Sequence, residues 1–383
     1  MMTQTISSPT NKTYKFLEKV FREYYSEALP SLPRDYKLRE FAAQLWGQNT
    51  YIRHLSFKSE KEVRDFLSQR GPRHFYYSSA RYKYPEARDM ESKEWLSADL
   101  IFDIDANHLE ECKDKIIELE VNGQKTSFIE DECLCRAAFE ALKLVDTLIH
   151  ELGISKESIR VEFSGNRGFH VVVEDDKEWG LAESDVRREL VNYLLAVDIK
   201  EESLQPKIEA KRIKTRMLPP LISSPGIRGR LARIAVRLAT IKGLETLSRY
   251  FSNIEEYLMA SPSEKDKLLE LIEEAKEHIK IRVDEQVTVD TKRLIRPPGS
   301  LHGKTGLLVK PVDVVKVYED CATLLEEASP FIKRNEYLRV KAIVDTPVLR
   351  ILGNKIKLRK GVIYRLPLHI AIYLMAKSVA VIV

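Results

Sequence analysis

The segment Leu100-Ile101-Phe102-Asp103-Ile104-Asp105-Ala106 alternates in a way that suits a strand. Leu100, Phe102 and Ile104 then point one way, while Ile101, Asp103 and Asp105 point the other. The two aspartates share a face with Cα atoms about 6.5 to 7 Å apart, close enough for both to hold Mg2+ or Mn2+ through hard oxygen ligands. Two acids on so apolar a strand repel each other and lose solvation unless a cation or donors compensate. The plainer reading is a strand end whose acids face water.

Two further segments carry phosphate-binding chemistry. Ser164-Gly165-Asn166-Arg167-Gly168-Phe169-His170 sets a hydroxyl, a guanidinium and an imidazole around a glycine-bearing turn between two strand-like runs. Glycines let backbone N–H groups approach a phosphate, Arg167 offers forked donors, and His170 can donate to a phosphate oxygen. Strand parity puts Ser164 and His170 on one sheet face. Downstream, Asp284 is followed by Arg296, Ser300, His302 and Lys304, each able to bind phosphate. Paired carboxylates, a third acid and several phosphate donors are what two-metal nucleotidyl transfer requires.

IFDIDA, SGNRGFH and VDEQVTVDTKRLIRPPGSLHGKTGL, in this order, resemble the signatures of the archaeo-eukaryotic DNA primase small (catalytic) subunit, archaeal type. YIRHLSF near the N-terminus and the closing GNKIKLRKGVIYRLPLHIAIYLMAKSVAVIV are also similar to that family, so the resemblance covers nearly the whole chain. It implies that Asp103, Asp105 and Asp284 are the metal-binding carboxylates. Asp290 is the rival for the third place, and Asp284 is preferred for its spacing to Ser300-Leu301-His302. Ser164, Arg167, His170, Arg296, Ser300 and His302 match nucleotide-binding positions, with Arg53 a further candidate. Eukaryotic relatives read SGRRGxH, whereas this chain has Asn166 in place of the first arginine. A charge at the phosphate site is then missing or supplied elsewhere.

The resemblance also implies a zinc module just after the paired aspartates. His108, Cys112, Cys133 and Cys135 form an acceptable set for a tetrahedral structural zinc. The one-residue spacing of Cys133-Leu134-Cys135 departs from the family's two, and the alternative is a degenerate module with free thiols. Four cysteines look more like a metal cluster or chance than a disulfide framework, and Cys321 reads as packed core.

With 62 basic against 58 acidic residues, net charge alone does not mark a nucleic-acid binder. Any basic groove must come from local clusters at Lys207–Arg216, Arg228–Arg237 and Lys355–Arg365, whose bland reading is solvated helix faces. No apolar run approaches a membrane span of about 18 residues, so a cytoplasmic protein is expected.

The pattern predicts a helix over 12–28, strands near 40–46, 51–57, 75–82 and 100–105, and a helix over 60–69 capped by Ser59. A polar insertion follows to Asp131, then a helix over 134–152 and the strand pair 159–164 and 169–174. Helices come next at 183–195 and 244–281, then strands at 283–289 and 305–311 and a helix over 314–328. Short β runs and a helix near 368–377 close the chain. The fold class is α/β: a primase-type catalytic core with a mixed sheet and flanking helices spans 1–335. It includes the zinc-type insertion (106–135) and a helical subdomain (185–281), and a small C-terminal lobe spans 336–383.

The implied function is template-directed synthesis of short primers on single-stranded DNA in replication, with two Mg2+ or Mn2+ ions. The implied partners are a large primase subunit, the template, NTPs and dNTPs. A primase-fold repair or gap-filling polymerase would share the metal site. A non-catalytic nucleic-acid-binding subunit would have no use for three acids near phosphate, and a DxD glycosyltransferase would not explain SGNRGFH or SLHGKT.

Overall fold

The computed structural model describes residues 9–121, 123–197, 204, 207–210 and 213–383. The first helix, α1 (Pro9–Glu27), buries Leu17, Val20, Phe21 and Tyr25, a stripe at helical spacing, in one core with Phe41 and Phe75. Strands β1 (Arg39–Gln44) and β2 (Tyr51–Leu55) pair antiparallel. Helix α2 (Glu60–Arg70) starts where the Ser59 side chain accepts from the Glu62 N–H, and it ends at Gly71 in the left-handed region, φ 48°. Next come β3 (His74–Tyr82), β4 (Trp95–Ala98) and β5 (Leu100–Asp105). A hairpin of β6 (Ile116–Val121) and β7 (Gln124–Ile129) leads into α3 (Asp131–His150), then β8 (Ile159–Phe163), β9 (Gly168–Val173) and α4 (Ser184–Leu194).

The chain continues through β10 (Lys207–Ala210), β11 (Ile213–Met217), α5 (Ile227–Ile241), α6 (Ile254–Met259), α7 (Pro262–Glu277) and α8 (Glu285–Val289). It ends with β12 (Leu294–Ile295), β13 (Lys310–Pro311), α9 (Val314–Glu319), α10 (Leu324–Glu327), β14 (Tyr337–Ala342), β15 (Leu349–Ile351), β16 (Asn354–Ile356), β17 (Ile363–Pro367), α11 (Leu368–Ala376) and β18 (Ala380–Ile382).

Two sheets position the site. One runs β12-β3-β1-β2 with β4 beside β3, and the other runs β13-β8-β9-β5. Asp99 is the hinge between them, because β4 pairs in the first sheet and β5 in the second. Its side chain is fully buried and paired with Arg39 at 2.7 Å and Arg81 at 2.9 Å. Arg187 of α4 clamps the same place by donating to the carbonyls of Ala98 and Asp99. Four residues later the strand reaches Asp103, so the acid pair starts from a fixed point.

Where a mixed sheet was expected, every strand pairing among the described residues is antiparallel. Strands β5 and β8 run parallel and are joined across α3, but β9 inserts between them and makes both pairings antiparallel. The 106–131 insertion contains the β6–β7 hairpin instead of irregular chain. The expected strand 283–289 is instead the helix α8 (Glu285–Val289), since the Asp284 side chain caps it by accepting from the Val287 N–H.

The helix expected over 244–281 breaks at two caps, Asn253 before α6 and the Ser261/Glu264 capping box before α7. A second apolar core joins Leu204 to residues between Leu231 and Ile279, around Phe251, Leu271 and Ile272. The C-terminal strands and α11 share the main core. No helix among the described residues is long and apolar enough to cross a membrane.

Candidate active site

The β5–β9 register sets Asp103 opposite His170 and Asp105 opposite Gly168, and the β8–β9 register sets Glu162 opposite His170. Glu162, His170 and Asp103 therefore line up across the sheet, as strand alternation anticipates. His170 Nε2 lies 3.9 Å from Asp103 and its Nδ1 3.9 Å from Glu162. Glu162 is fully buried, and neither its Oε2 nor His170 Nδ1 has a hydrogen-bond partner. Asp284 joins the pair through the backbone, its N–H donating to the Asp103 carbonyl at 2.9 Å.

Asp103 feels all of this. Burial raises its carboxyl above the usual range, and the charges of Asp105 and Asp284 push the same way against His170 and Arg293. Asp290 stands apart at the end of α8, where its side chain accepts from the Lys292 N–H.

The 164–168 turn is built by close approach. A side chain at Gly168 would run into the Ile104 carbonyl oxygen, and one at Gly165, already left-handed at φ 80°, would meet His302 Cβ at 2.8 Å. The turn is pinned to the 300–307 loop by Thr305, whose hydroxyl donates to the Gly165 carbonyl at 2.6 Å. At its tip Arg167 donates to Asp105 at 2.9 Å and to the Ser127 hydroxyl at 2.6 Å.

Facing the acids is a ring of cations and imidazoles. Arg296 donates to His74 Nδ1 at 3.2 Å and to the Tyr76 hydroxyl at 2.9 Å. The Lys304 N–H donates to His302 Nδ1 at 3.2 Å, which leaves the proton of the neutral ring on Nε2 as a free donor. His74 and His302 stack edge to face at 5.3 Å. Burial holds both well below the ordinary imidazole range, helped by Arg296 and other nearby cations.

Lys304 is lowered by burial first and then by Arg167, Arg296 and Arg73, with Asp105 opposing. Burial pushes Lys377 down to about 7, and Arg167 and Lys304 add to it. So many like charges around one opening are unfavourable until an anion enters.

Asp103, Asp105, Asp284, Arg167, His170, Arg296 and His302 thus belong to one neighbourhood. Ser164 is buried at the end of β8, its N–H donating to the Gly168 carbonyl. Ser300 is fully buried and its hydroxyl donates to the Pro297 carbonyl, so it supports the turn and adds no donor to the ring. Arg53 donates to Glu40 at 2.7 Å, and no described bond brings it to the others. Arg73, His74, Glu162 and Lys377 were missed, because each is a lone polar residue in an apolar or basic run with no motif spacing.

The structure does not show the zinc module expected here. Cys112 is bonded to Cys133 and Cys135 to Cys321, with Cα separations of 5.8 and 5.4 Å, and His108 is exposed. The thiols are spent, and the alternating Cys133 and Cys135 take different partners because residues two apart on a helix face different ways. Cys321, expected as packed core, is one of those partners. Among the described residues no three His, Cys, Asp or Glu groups stand close enough to hold a metal ion. For the three aspartates the donor chemistry still suits a hard divalent cation, given the crowding of charge at Asp103.

The basic stretch Arg228–Arg237 is corrected as well. Arg230 is buried, Arg230 and Arg233 pair with Glu151 at 2.9 and 2.7 Å, and Arg237 pairs with Asp146 at 2.7 Å. Its side chains fasten α5 to the end of α3. The side chains of Lys207–Arg216 lie outside the described residues.

Acids on one strand against clustered cations on neighbouring loops define a phosphate-handling site of the nucleotidyl-transfer kind. Residues 102–314 match the DNA primase small subunit family. DNA primase small subunit PriS from Hyperthermus butylicus is 46% identical over 381 residues, covering 97% of this chain and 98% of that one. The PriS of Sulfolobus acidocaldarius is 34% identical, covering 96% and 95%. A solved structure, the polymerase domain from Mycobacterium tuberculosis Ligase D in complex with DNA, is 12% identical at a TM-score of 0.36, covering 87% of this chain and 98% of that chain; so low a score decides nothing. The chain belongs to the DNA primase small subunit family.

Proposed function

We propose that the chain makes primers on single-stranded DNA by template-directed nucleotidyl transfer, releasing pyrophosphate as each nucleotide is added. The observation that supports this most directly is the acid row of Asp103, Asp105 and Asp284 set against Arg167, Arg296, His302 and Lys304 within a family member. Asp103, Asp105 and Asp284 are the residues that would hold Mg2+ or Mn2+. Such ions, when bound, lower the pKa of the attacking hydroxyl and neutralise charge on the leaving pyrophosphate.

The chain's own groups do the rest. Arg167 and Arg296 grip phosphate oxygens, neutral His302 donates from Nε2, and His170 stands between the metal acids and buried Glu162. Asp284 takes the third acid place in this reading because it bonds to the Asp103 backbone, and Asp290 does not. We also read 1–335 as the catalytic domain with the helical subdomain 185–281 and 336–383 as a C-terminal lobe. A large primase subunit is the partner, and NTPs and dNTPs are the substrates.

The experiment is primer-free synthesis on single-stranded DNA with Mg2+ or Mn2+ and ribo- or deoxyribonucleotides. Short products from the wild type and none from Asp103→Ala are expected. Products only in the presence of an added primer would favour a gap-filling polymerase instead.

A further inference from the structure

None of the chemistry above uses Lys377, which follows α11 and reaches the tip of the 164–168 turn. It is 4% exposed, and its ammonium donates to Asn166 Oδ1 at 3.1 Å and to the Ser127 carbonyl at 2.8 Å. The rings of Phe128 and Tyr373 flank it, each 5.6 Å away. Burying an ammonium is costly, and a methionine of similar length would fill this space without that cost. Packing therefore does not account for it.

What the two bonds hold is specific. Asn166 and Arg167 form the tip of the turn, and Lys377 holds Asn166 directly. Ser127 takes Lys377 on its carbonyl and Arg167 on its hydroxyl, so the same lysine also steadies the residue that positions Arg167. With Oδ1 turned to Lys377, the Nδ2 end of Asn166 faces away from it as a donor.

We propose that Lys377 is a positioning residue for the nucleotide's triphosphate: through Asn166 and Ser127 it fixes the tip of the turn so that Asn166 and Arg167 meet the phosphates already oriented. The proposal rests on the reading of this site as the triphosphate site. It also gives the C-terminal helix a part in nucleotide binding. Burial first, and then Arg167 and Lys304, disfavour the charged form of Lys377, which a polyphosphate would favour and a neutral ligand would not.

The test is primer extension by the full-length chain with Mg2+ and ATP on a primed template, for wild type, Lys377→Met, Asn166→Ala and the double variant. Lys377→Met is expected to raise the nucleotide KM about tenfold, the usual scale for a charged hydrogen bond, while kcat stays within about threefold. The template KM should not move. Asn166→Ala, which removes that bond and the amide donor together, should raise the same parameter at least as much, and the double variant should fall well short of the product of the two single effects, because the two changes share the Lys377–Asn166 bond.

An unchanged nucleotide KM in Lys377→Met, an equal change in template KM, or multiplying effects in the double variant would overturn the proposal. Should Lys377→Met fail to fold by circular dichroism, Asn166→Ala decides, and an unchanged nucleotide KM there sinks it. A wild type that extends no primer defeats the reading of the site and this inference with it. Normal extension by both wild type and Lys377→Met defeats the inference alone.

Discussion

Asp103 sits in the folded chain beside two neighbouring acids, and its carboxyl is raised above the usual range by burial first and by Asp105 and Asp284 next. In the absence of metal this works against the fold. Below an unfolded pKa of about 4 both states are protonated and nothing is lost. As pH climbs through the window above it, the unfolded chain ionises first, so stability falls until the folded pKa is passed. Asp103→Asn should therefore be more stable than wild type near neutrality and lose that advantage near pH 4, in urea melts with chelator present. Asp103→Ala and Asp105→Ala should both abolish synthesis while folding normally by circular dichroism. Asp284→Asn should be far more damaging to synthesis than Asp290→Asn, and the reverse order would move the third acid place to Asp290.

These residues were legible in the sequence because alternation and glycine-bearing turns are local signals. Arg73, His74 and Lys377 were not, since their roles arise from chain brought together over 222 to 250 residues.

At the scale of elements, the β5–β9 pair carries the site, and its spacing depends on Gly168 lying against the Ile104 carbonyl. Gly168→Ala must push the two strands apart next to Asp105. The expected result is a loss of about 1 to 3 kcal/mol in a denaturant melt, as for other overpacking changes, together with lost synthesis. Full activity and stability would mean that the strands part without consequence.

The hairpin β6–β7 is masked in the sequence although Asn122-Gly123 is a strong turn signal, because the charged residues around it give the segment the composition of a polar insertion. Helix α5 is hard to read in the sequence because Pro219, Pro220, Pro225 and Gly226 stand just before it and its basic residues suggest a solvated face, whereas its arginines turn inward at helical spacing to Glu151 and Asp146. The two cysteine bonds tie the insertion to α3 and α3 to the segment after α9. Thiol titration of the denatured, unreduced protein should accordingly find no free cysteine, and metal analysis no zinc. A stoichiometric zinc with four free thiols on chelation would restore the zinc module.

At the scale of the whole molecule, the cations are unevenly employed. The site's Arg73, Arg167, Arg296, Lys304 and Lys377 surround the place for a triphosphate, and Arg230, Arg233 and Arg237 are committed to acids of the chain itself. Net charge is only +4. Phosphate contacts dominate affinity for nucleic acid, so with the Arg228–Arg237 cluster engaged internally the chain should hold single-stranded template weakly and lose it steeply as salt rises. Nucleotide binding, which draws on the buried ring of cations, should be much less sensitive to salt because buried charges are poorly screened.

Under the proposed function the large subunit then has a defined task, supplying further template or initiating-nucleotide contacts. The isolated chain should extend primers yet initiate poorly, and the heterodimer should initiate better at moderate ionic strength. The measurement is the ratio of primer-free to primed synthesis at about 50 and about 200 mM salt, the range over which several phosphate contacts change affinity by orders of magnitude. If the isolated chain starts strands as well as the heterodimer at the higher salt, template contacts are present on this chain and the partner's role in initiation falls.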